Sequence, residues 1–353
     1  QANLTGLWRY WRPFYEPQRA PCDAACPLGN QVVDYIQAAL EGHWQAAANL
    51  LRAENPLPAI TGRVCHRPCE LACNRRQYDE RIAIHDIEAT LAQVRYELPI
   101  FPAAGRAGEL AVLGSGPAEL AFAHFMALLG HRVTLFHAGE LGGRLRHGGQ
   151  VRQFPPGLLD AEIERILAGR IAVRSNSPRP DEVEPECDLL FGLLDDPRHL
   201  VLRLSPHAGP NGRPERALLA LLLGEGGRQG PATPYPLRVS EAIGYGKWVA
   251  LLLDAAWRGL DPSDVLAQIQ VGGNARILSA LKYLALLTGH RAERSEQIVT
   301  YDLLHLDMLD PGPPPDAALA VGASALLTTA WHSTTRSSGK PWISGPRLGM
   351  LTW

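Results

Sequence analysis

Cysteine placement limits this fold more tightly than any other feature. The chain has six cysteines, and Cys22, Cys26, Cys65, Cys69 and Cys73 sit in two short segments, leaving only Cys187 outside them. The first segment, "PCDAACPLGN" (21–30), reads C-x3-C-P, and the second, "GRVCHRPCELACNRR" (62–76), reads C-x3-C-x3-C. If these thiols share a ligand, the two segments must fold against one another. Thiolates are soft donors suited to zinc or to iron–sulfur clusters. Zinc usually takes cysteine pairs two to four residues apart and would use four of these five. An iron–sulfur cluster is bulkier, is wrapped by several loops, and often has proline after a ligand cysteine. Spacing leaves both open, and unligated core thiols would not be gathered in this way.

A length of 353 residues suggests two or three domains. With 46% apolar and 20% charged residues, the composition is that of a globular protein. A net charge of −2 gives no electrostatic case for nucleic acid or an anionic membrane. No apolar run reaches the roughly 18 residues of a spanning helix. The first residues, "QANLTGLWRYW", lack the pattern of a signal peptide. The expected compartment is the cytoplasm, where grouped cysteines bind metals more often than they form disulfides.

Residues 1–105 read as helical and rich in loops. "NQVVDYIQAALEGHWQAAANLLRAEN" places Val33, Ile36 and Leu40, then Trp44, Ala47, Leu50 and Leu51, at helical spacing. "NPLPAITG" interrupts the pattern, and "RIAIHDIEATLAQVRYEL" restarts a helix. After a linker at 99–108, "ELAVLGSGPAELAFAHFMALLGHRVTLFHAGELGG" reads as strand, glycine turn, helix and strand, a βαβ unit. "RIAVRS" and "CDLLFGLL" are strand candidates, 238–259 is a helix, and "DVLAQIQVGGNARILSALKYLALLTG" reads as helical on both sides of its glycine pair.

"GSGPAE" (114–119) has the context of a dinucleotide turn. Gly114 permits the tight turn, while Gly116 and Pro117 open the helix whose N-terminus would face a pyrophosphate. The third position, where glycine is expected, holds Glu119, and the second strand ends in His137 rather than an acid.

The phrases "APC…CPLGN", "NPLPA", "GRVCHRPCELAC" and "IHDIE", in this order, resemble the N-terminal iron–sulfur domain of the glutamate synthase small-subunit family. That family's relatives include dihydropyrimidine dehydrogenase and other NADPH-dependent iron–sulfur flavin oxidoreductases. The resemblance continues through the βαβ unit, returns at "VSEAIGYGK" and "IVTYDLLHLDML", and stops near residue 310. It implies a [4Fe–4S] cluster held by Cys26, Cys65, Cys69 and Glu88. A second cluster in the family uses the positions of Cys22 and Cys73 with an upstream C-x2-C, which this sequence lacks. One cluster is therefore expected, with Cys22 and Cys73 able to stand in for Glu88. The resemblance also implies FAD near Gly142, Gly143 and Arg144 of "ELGGRLRHGG" and at Gly224 and Glu225 of "LLLGEGG", with Ala242 in the following helix.

The family inserts an NADPH-binding domain between the halves of its flavin domain. Here only residues 195–220 separate "CDLLFGLL" from "LLLGEGG", and a nucleotide-binding domain needs roughly 100 residues. Direct hydride transfer from NAD(P)H is not expected. The expected fold class is α plus α/β: a helical [4Fe–4S] domain at 1–105, a shortened Rossmann-like FAD-type domain at 106–260, a helical extension at 261–310 and an extended or disordered tail at 311–353. The expected role is an electron-transfer subunit of a multi-subunit oxidoreductase, working with partner subunits. The alternative is a non-catalytic scaffold with a structural cluster and a degenerate flavin pocket. His66, His85 and Cys187 are read as neighbours, surface groups or a plain thiol, and no nucleophile elbow is present.

Overall fold

The computed structural model describes residues 14–16, 19–98, 107–147, 154–168, 170–175, 189–192, 201–204, 238–271, 274–288 and 347–349. It opens with a short strand, β1 (Phe14–Glu16), which pairs antiparallel with β9 (Arg347–Gly349) far along the chain. Six helices follow: α1 (Pro21–Ala25), α2 (Val32–Leu40), α3 (Trp44–Glu54), α4 (Pro58–Val64), α5 (Pro68–Leu71) and α6 (Ile84–Leu91), with a 3-10 turn at Asn74–Gln77 before the last.

The helical pattern over 30–55 forms two helices, α2 and α3. Gly42, at φ +88, takes the left-handed conformation that ends α2. The N–H of His43 bonds back to Ala38 O at 2.9 Å and that of Gly42 to Ala39 O at 3.1 Å, a Schellman closure. "NPLPAITG" is a break only at its front. Pro58 is the first residue of α4, where a missing N–H costs nothing. Asn55 holds this entry, accepting from Leu57 N at 3.0 Å and donating to Thr61 Oγ1 at 2.7 Å.

Beyond the linker come β2 (Glu109–Leu113), α7 (Pro117–Leu128), β3 (Arg132–Phe136), α8 (Arg144–His147), α9 (Leu158–Leu167), β4 (Ile171–Arg174), β5 (Leu189–Gly192) and β6 (Val201–Leu204). The five strands β2–β6 form one sheet in the order β4-β3-β2-β5-β6. All neighbours are parallel except β5 and β6. Every residue of α7 is buried, and Phe122 stacks on Phe191 of β5 with ring centroids 4.1 Å apart.

The long helix α10 (Val239–Trp257) lies against α7. Then come α11 (Pro262–Ile269), β7 (Gln270–Val271), β8 (Asn274–Leu278) and α12 (Ala280–Leu287). The helices expected on either side of the glycine pair are present, but the residues next to it pair antiparallel as β7 and β8.

Buried polar groups tie the cysteine-bearing helices to the rest. Lys247 on α10 reaches Glu54 Oε2 at 2.6 Å and donates to Leu28 O. Glu54 also caps α12, accepting from Ala280 N at 2.8 Å and Leu281 N at 3.1 Å. Arg52 on α3 forks onto Glu162 on α9, at 2.9 Å and 3.4 Å, and bonds Ala92 O at 2.7 Å. The N–H of Gly108 donates to His131 Nδ1 at 3.0 Å, so His131 carries its proton on Nε2 and gives it to Asp254 at 2.8 Å. Among the described residues no helix is long and apolar enough to cross a membrane. Gly224, Glu225, Cys187, most of the tail and most of the segment between β5 and α10 lie outside the described residues.

Candidate functional site

Each of the five described cysteines sits in or beside a short helix. Cys22 is in α1 and Cys26 is its C-cap. Asp23 Oδ1 accepts from Val32 N at 2.8 Å and Val33 N at 3.4 Å, which folds the loop after Cys26 back onto the start of α2. Cys65 is the C-cap of α4, Cys69 lies in α5, and Cys73 precedes the 3-10 turn. Arg67 is the described non-glycine residue at positive φ, +59°. This conformation costs about 1–2 kcal/mol for an L-residue. It accompanies a hydrogen bond from Arg67 N to Cys65 Sγ at 3.4 Å, and Pro68 then starts the turn that carries Cys69.

Glu88 enters from α6. Asn30 Nδ2 at 2.8 Å and Tyr35 Oη at 3.0 Å both donate to its Oε1. Glu70 lies beside this group, buried under His85 and Arg81. Sequence reasoning missed Asn30, Tyr35, Glu70 and Ser240, whose hydroxyl accepts from the Cys65 thiol at 3.6 Å. Only folding brings them to the cysteines, so no local pattern marks them.

The electrostatics divide the candidate ligands into two sets. Burial pushes the Cys26 thiol up to about 12, helped by the charge of Glu88 and then of Cys65. Burial raises Cys69, followed by Glu88, Cys26 and Cys65. Burial raises Cys65 also, against the hydrogen bonds from Arg67 and with Ser240. Burial lifts Glu88 to about 7. These four groups therefore share one region. Cys22, raised by burial and then by Asp23, feels Cys73 instead. Among the described residues no three or more His, Cys, Asp or Glu side chains stand at the spacing of a single bound ion. Four crowded acidic donors in a buried place oppose one another's ionisation, and a bound cationic core reverses that opposition. This donor set fits a thiolate-held metal group.

The second candidate site begins at the end of β2. Gly114, at φ +104, makes the turn, and its N–H bonds Phe136 O at 2.8 Å. Gly116 is the N-cap and Pro117 the first residue of α7. The Gly142 N–H bonds Ser115 O at 3.0 Å, which lays the Gly142–Gly143–Arg144 stretch against the turn. His137 bonds Gly139 O at 2.6 Å and Ser175 Oγ at 3.3 Å. Ala242 is buried within α10. Glu119 is buried and folded onto the turn: a Cβ added at Gly114 would meet its Cγ at 3.4 Å and its Oε1 at 3.5 Å. The backbone here suits a pyrophosphate, but the carboxylate beside it opposes one.

Residues 15–98 match the family model described as dihydropyrimidine dehydrogenase domain II, 4Fe-4S cluster. The chain is 31% identical over 160 residues to the NADPH-Fe(3+) oxidoreductase subunit beta of Geobacter sulfurreducens, covering 43% of this chain and 24% of that protein. It is 32% identical over 159 residues to the glutamate synthase [NADPH] small chain of Bacillus subtilis, covering 44% and 32%. With the NADP(+)-dependent formate dehydrogenase subunit beta of Moorella thermoacetica it shares 30% over 214 residues, covering 51% and 30%. The matched part thus spans a third or less of each of these relatives. Among solved structures, a 6-hydroxypseudooxynicotine amine oxidase from Pseudomonas geniculata aligns over 26% of this chain and 15% of its own, at 27% identity and a TM-score of 0.23. Residues 15–98 thus carry the match to a dihydropyrimidine dehydrogenase-type 4Fe-4S domain, and over its matched part the chain is similar to the glutamate synthase small subunit and related oxidoreductase beta subunits.

Proposed function

We propose that the chain is an electron-transfer subunit that passes electrons through one [4Fe–4S] cluster to or from partner subunits in the cytoplasm. The observation that carries this reading is that Cys26, Cys65, Cys69 and Glu88, from three separate segments, act on one another's charge, with Cys26, Cys69 and Glu88 buried and Cys65 half-buried. Cys26, Cys65 and Cys69 would hold the cluster, with Glu88 as fourth ligand through the oxygen that Asn30 and Tyr35 do not use. Cys22 and Cys73 form a neighbouring pair able to replace Glu88. A bound cluster supplies one-electron transfer. The protein's part is to exclude water, hold the sulfurs at fixed positions and keep Glu88 oriented by its two donors.

The cluster would belong to a domain at 1–105, and a flavin-type domain would occupy 106–260. The strand order β4-β3-β2-β5, with a glycine turn after its first strand in sequence, supports a dinucleotide-type architecture in the second. FAD would sit at Gly114, Gly116 and Pro117, with Gly142, Gly143, Arg144, His137 and Ala242 around it. Glu119 favours a second reading, in which the pocket has lost its flavin and the chain scaffolds a redox complex.

The test is the anaerobically purified protein itself. Iron content and a broad visible shoulder are expected, and Cys69→Ser is expected to lose most of the iron and lower the melting temperature, because metal binding is coupled to folding. A variant with unchanged iron and melting temperature overturns the ligand assignment. A structured flavin band separates electron transfer with FAD from the scaffold.

A further inference from the structure

The helix α10 meets the cysteine loops along one stripe. Ser240, Gly244 and Lys247 are spaced i, i+4 and i+7, on one helix face. Ser240 touches Cys65, Gly244 packs so closely on Pro27 that a Cβ there would lie 2.4 Å from its carbonyl oxygen, and Lys247 holds Leu28 O. The last two contacts fix the backbone beside Cys26. The first reaches a sulfur.

Ser240 is 1% exposed and lies in the first turn of α10. It is not needed to cap that helix, because Glu241 Oε2 accepts from Arg238 N at 3.0 Å. Cys65 Sγ is the hydrogen-bond partner that the described residues give its hydroxyl. The direction of this bond depends on the state of the sulfur. A free thiol donates to Ser240 Oγ. A metal-bound thiolate has no proton and can only accept, so the serine hydroxyl must turn its own hydrogen toward the sulfur. Arg67 N, at 3.4 Å, already points a donor at the same atom. Hydrogen bonds to cluster sulfurs favour the more negative, reduced state and so move the potential upward.

We propose that Ser240 is a positioning residue for the cluster, donating a hydrogen bond to ligated Cys65 and raising the cluster's reduction potential. This rests on the reading of Cys65 as a cluster ligand. Through Ser240, the sheet-bearing half of the chain sets a property of a group held by the cysteine-bearing half.

The test is a potentiometric titration, followed by electron paramagnetic resonance, on the full chain purified anaerobically. Ser240→Ala is expected to keep its iron and shift the midpoint to a more negative value. Ser240→Thr and Ser240→Val, nearly equal in shape, isolate the hydroxyl: Thr should stay near the parent value and Val should shift with Ala. A purely structural serine would change iron loading or melting temperature and leave the midpoint alone. Iron-loaded Ala and Val variants with the parent potential, or a Thr variant shifted as far as Val, overturn the proposal while leaving the cluster in place. A parent chain without iron overturns the cluster reading beneath it, whereas variants that lose iron while the parent keeps it overturn only the tuning role of Ser240.

Discussion

Glu119 occupies the third position of the dinucleotide-type fingerprint, where glycine is expected. Its carboxylate is buried against Gly114, beside the place where a dinucleotide would present its diphosphate. Like charges held together out of water cost several kcal/mol, so removing this one should be visible in binding. Glu119→Gly is expected to raise FAD affinity at least about tenfold, the equivalent of about 1.4 kcal/mol, in a flavin fluorescence titration. Unchanged or weaker binding would show that the carboxylate is not the obstacle. At this scale the cysteines were legible, because their clustering survives in one dimension. Glu88 was named only through resemblance. Asn30 and Tyr35, which orient it from 58 and 53 residues away, leave no trace in local spacing.

Elements show where pattern reading succeeds and where it slips. On α2 the sequence pointed to Val33, Ile36 and Leu40 as the inward face, yet Val32, Tyr35, Ala38 and Ala39 are buried and Leu40 is exposed. Alanines carry little weight in an apolar count, but close-packed helices favour them, and Tyr35 turns inward because Glu88 gives its hydroxyl a partner. The hairpin β7–β8 was read as helix because six or seven residues around a glycine pair are too few to show a period. The strand β2 and the glycine turn after it were readable because a parallel strand buried on both faces is a continuous apolar run. Packing between α10 and α7 depends on a contact no pattern displays. A Cβ at Gly246 would lie 2.2 Å from Ala118 O, which requires the helices to move apart. Gly246→Ala is expected to destabilise the protein by about 1–3 kcal/mol in denaturant unfolding. Gly244→Ala, which presses on Pro27, should lose iron more readily than Gly246→Ala. Equal iron retention would separate helix packing from the cysteine loop.

For the molecule as a whole, acid sensitivity has an identifiable contributor. His124 is buried in α7, and burial, followed by Arg170 and Arg52, lowers its pKa to about 3. Unfolded, the same imidazole takes up a proton below about pH 6.5. The stability associated with the neutral ring is therefore complete above that value and erodes as the pH falls toward 3, by about 1.4 kcal/mol per unit. His124→Gln should flatten the decline between pH 6.5 and 5.5 by about one proton's worth. Parallel declines for variant and parent would remove His124 from the account. The Glu54 carboxylate serves Lys247 on α10 and the first N–H groups of α12 at once. Cutting the chain at the linker to obtain a stand-alone electron carrier would strand that anion without its counter-ion and uncover the loop after Cys26. Any minimal fragment made for spectroscopy has to keep both ends of this clasp.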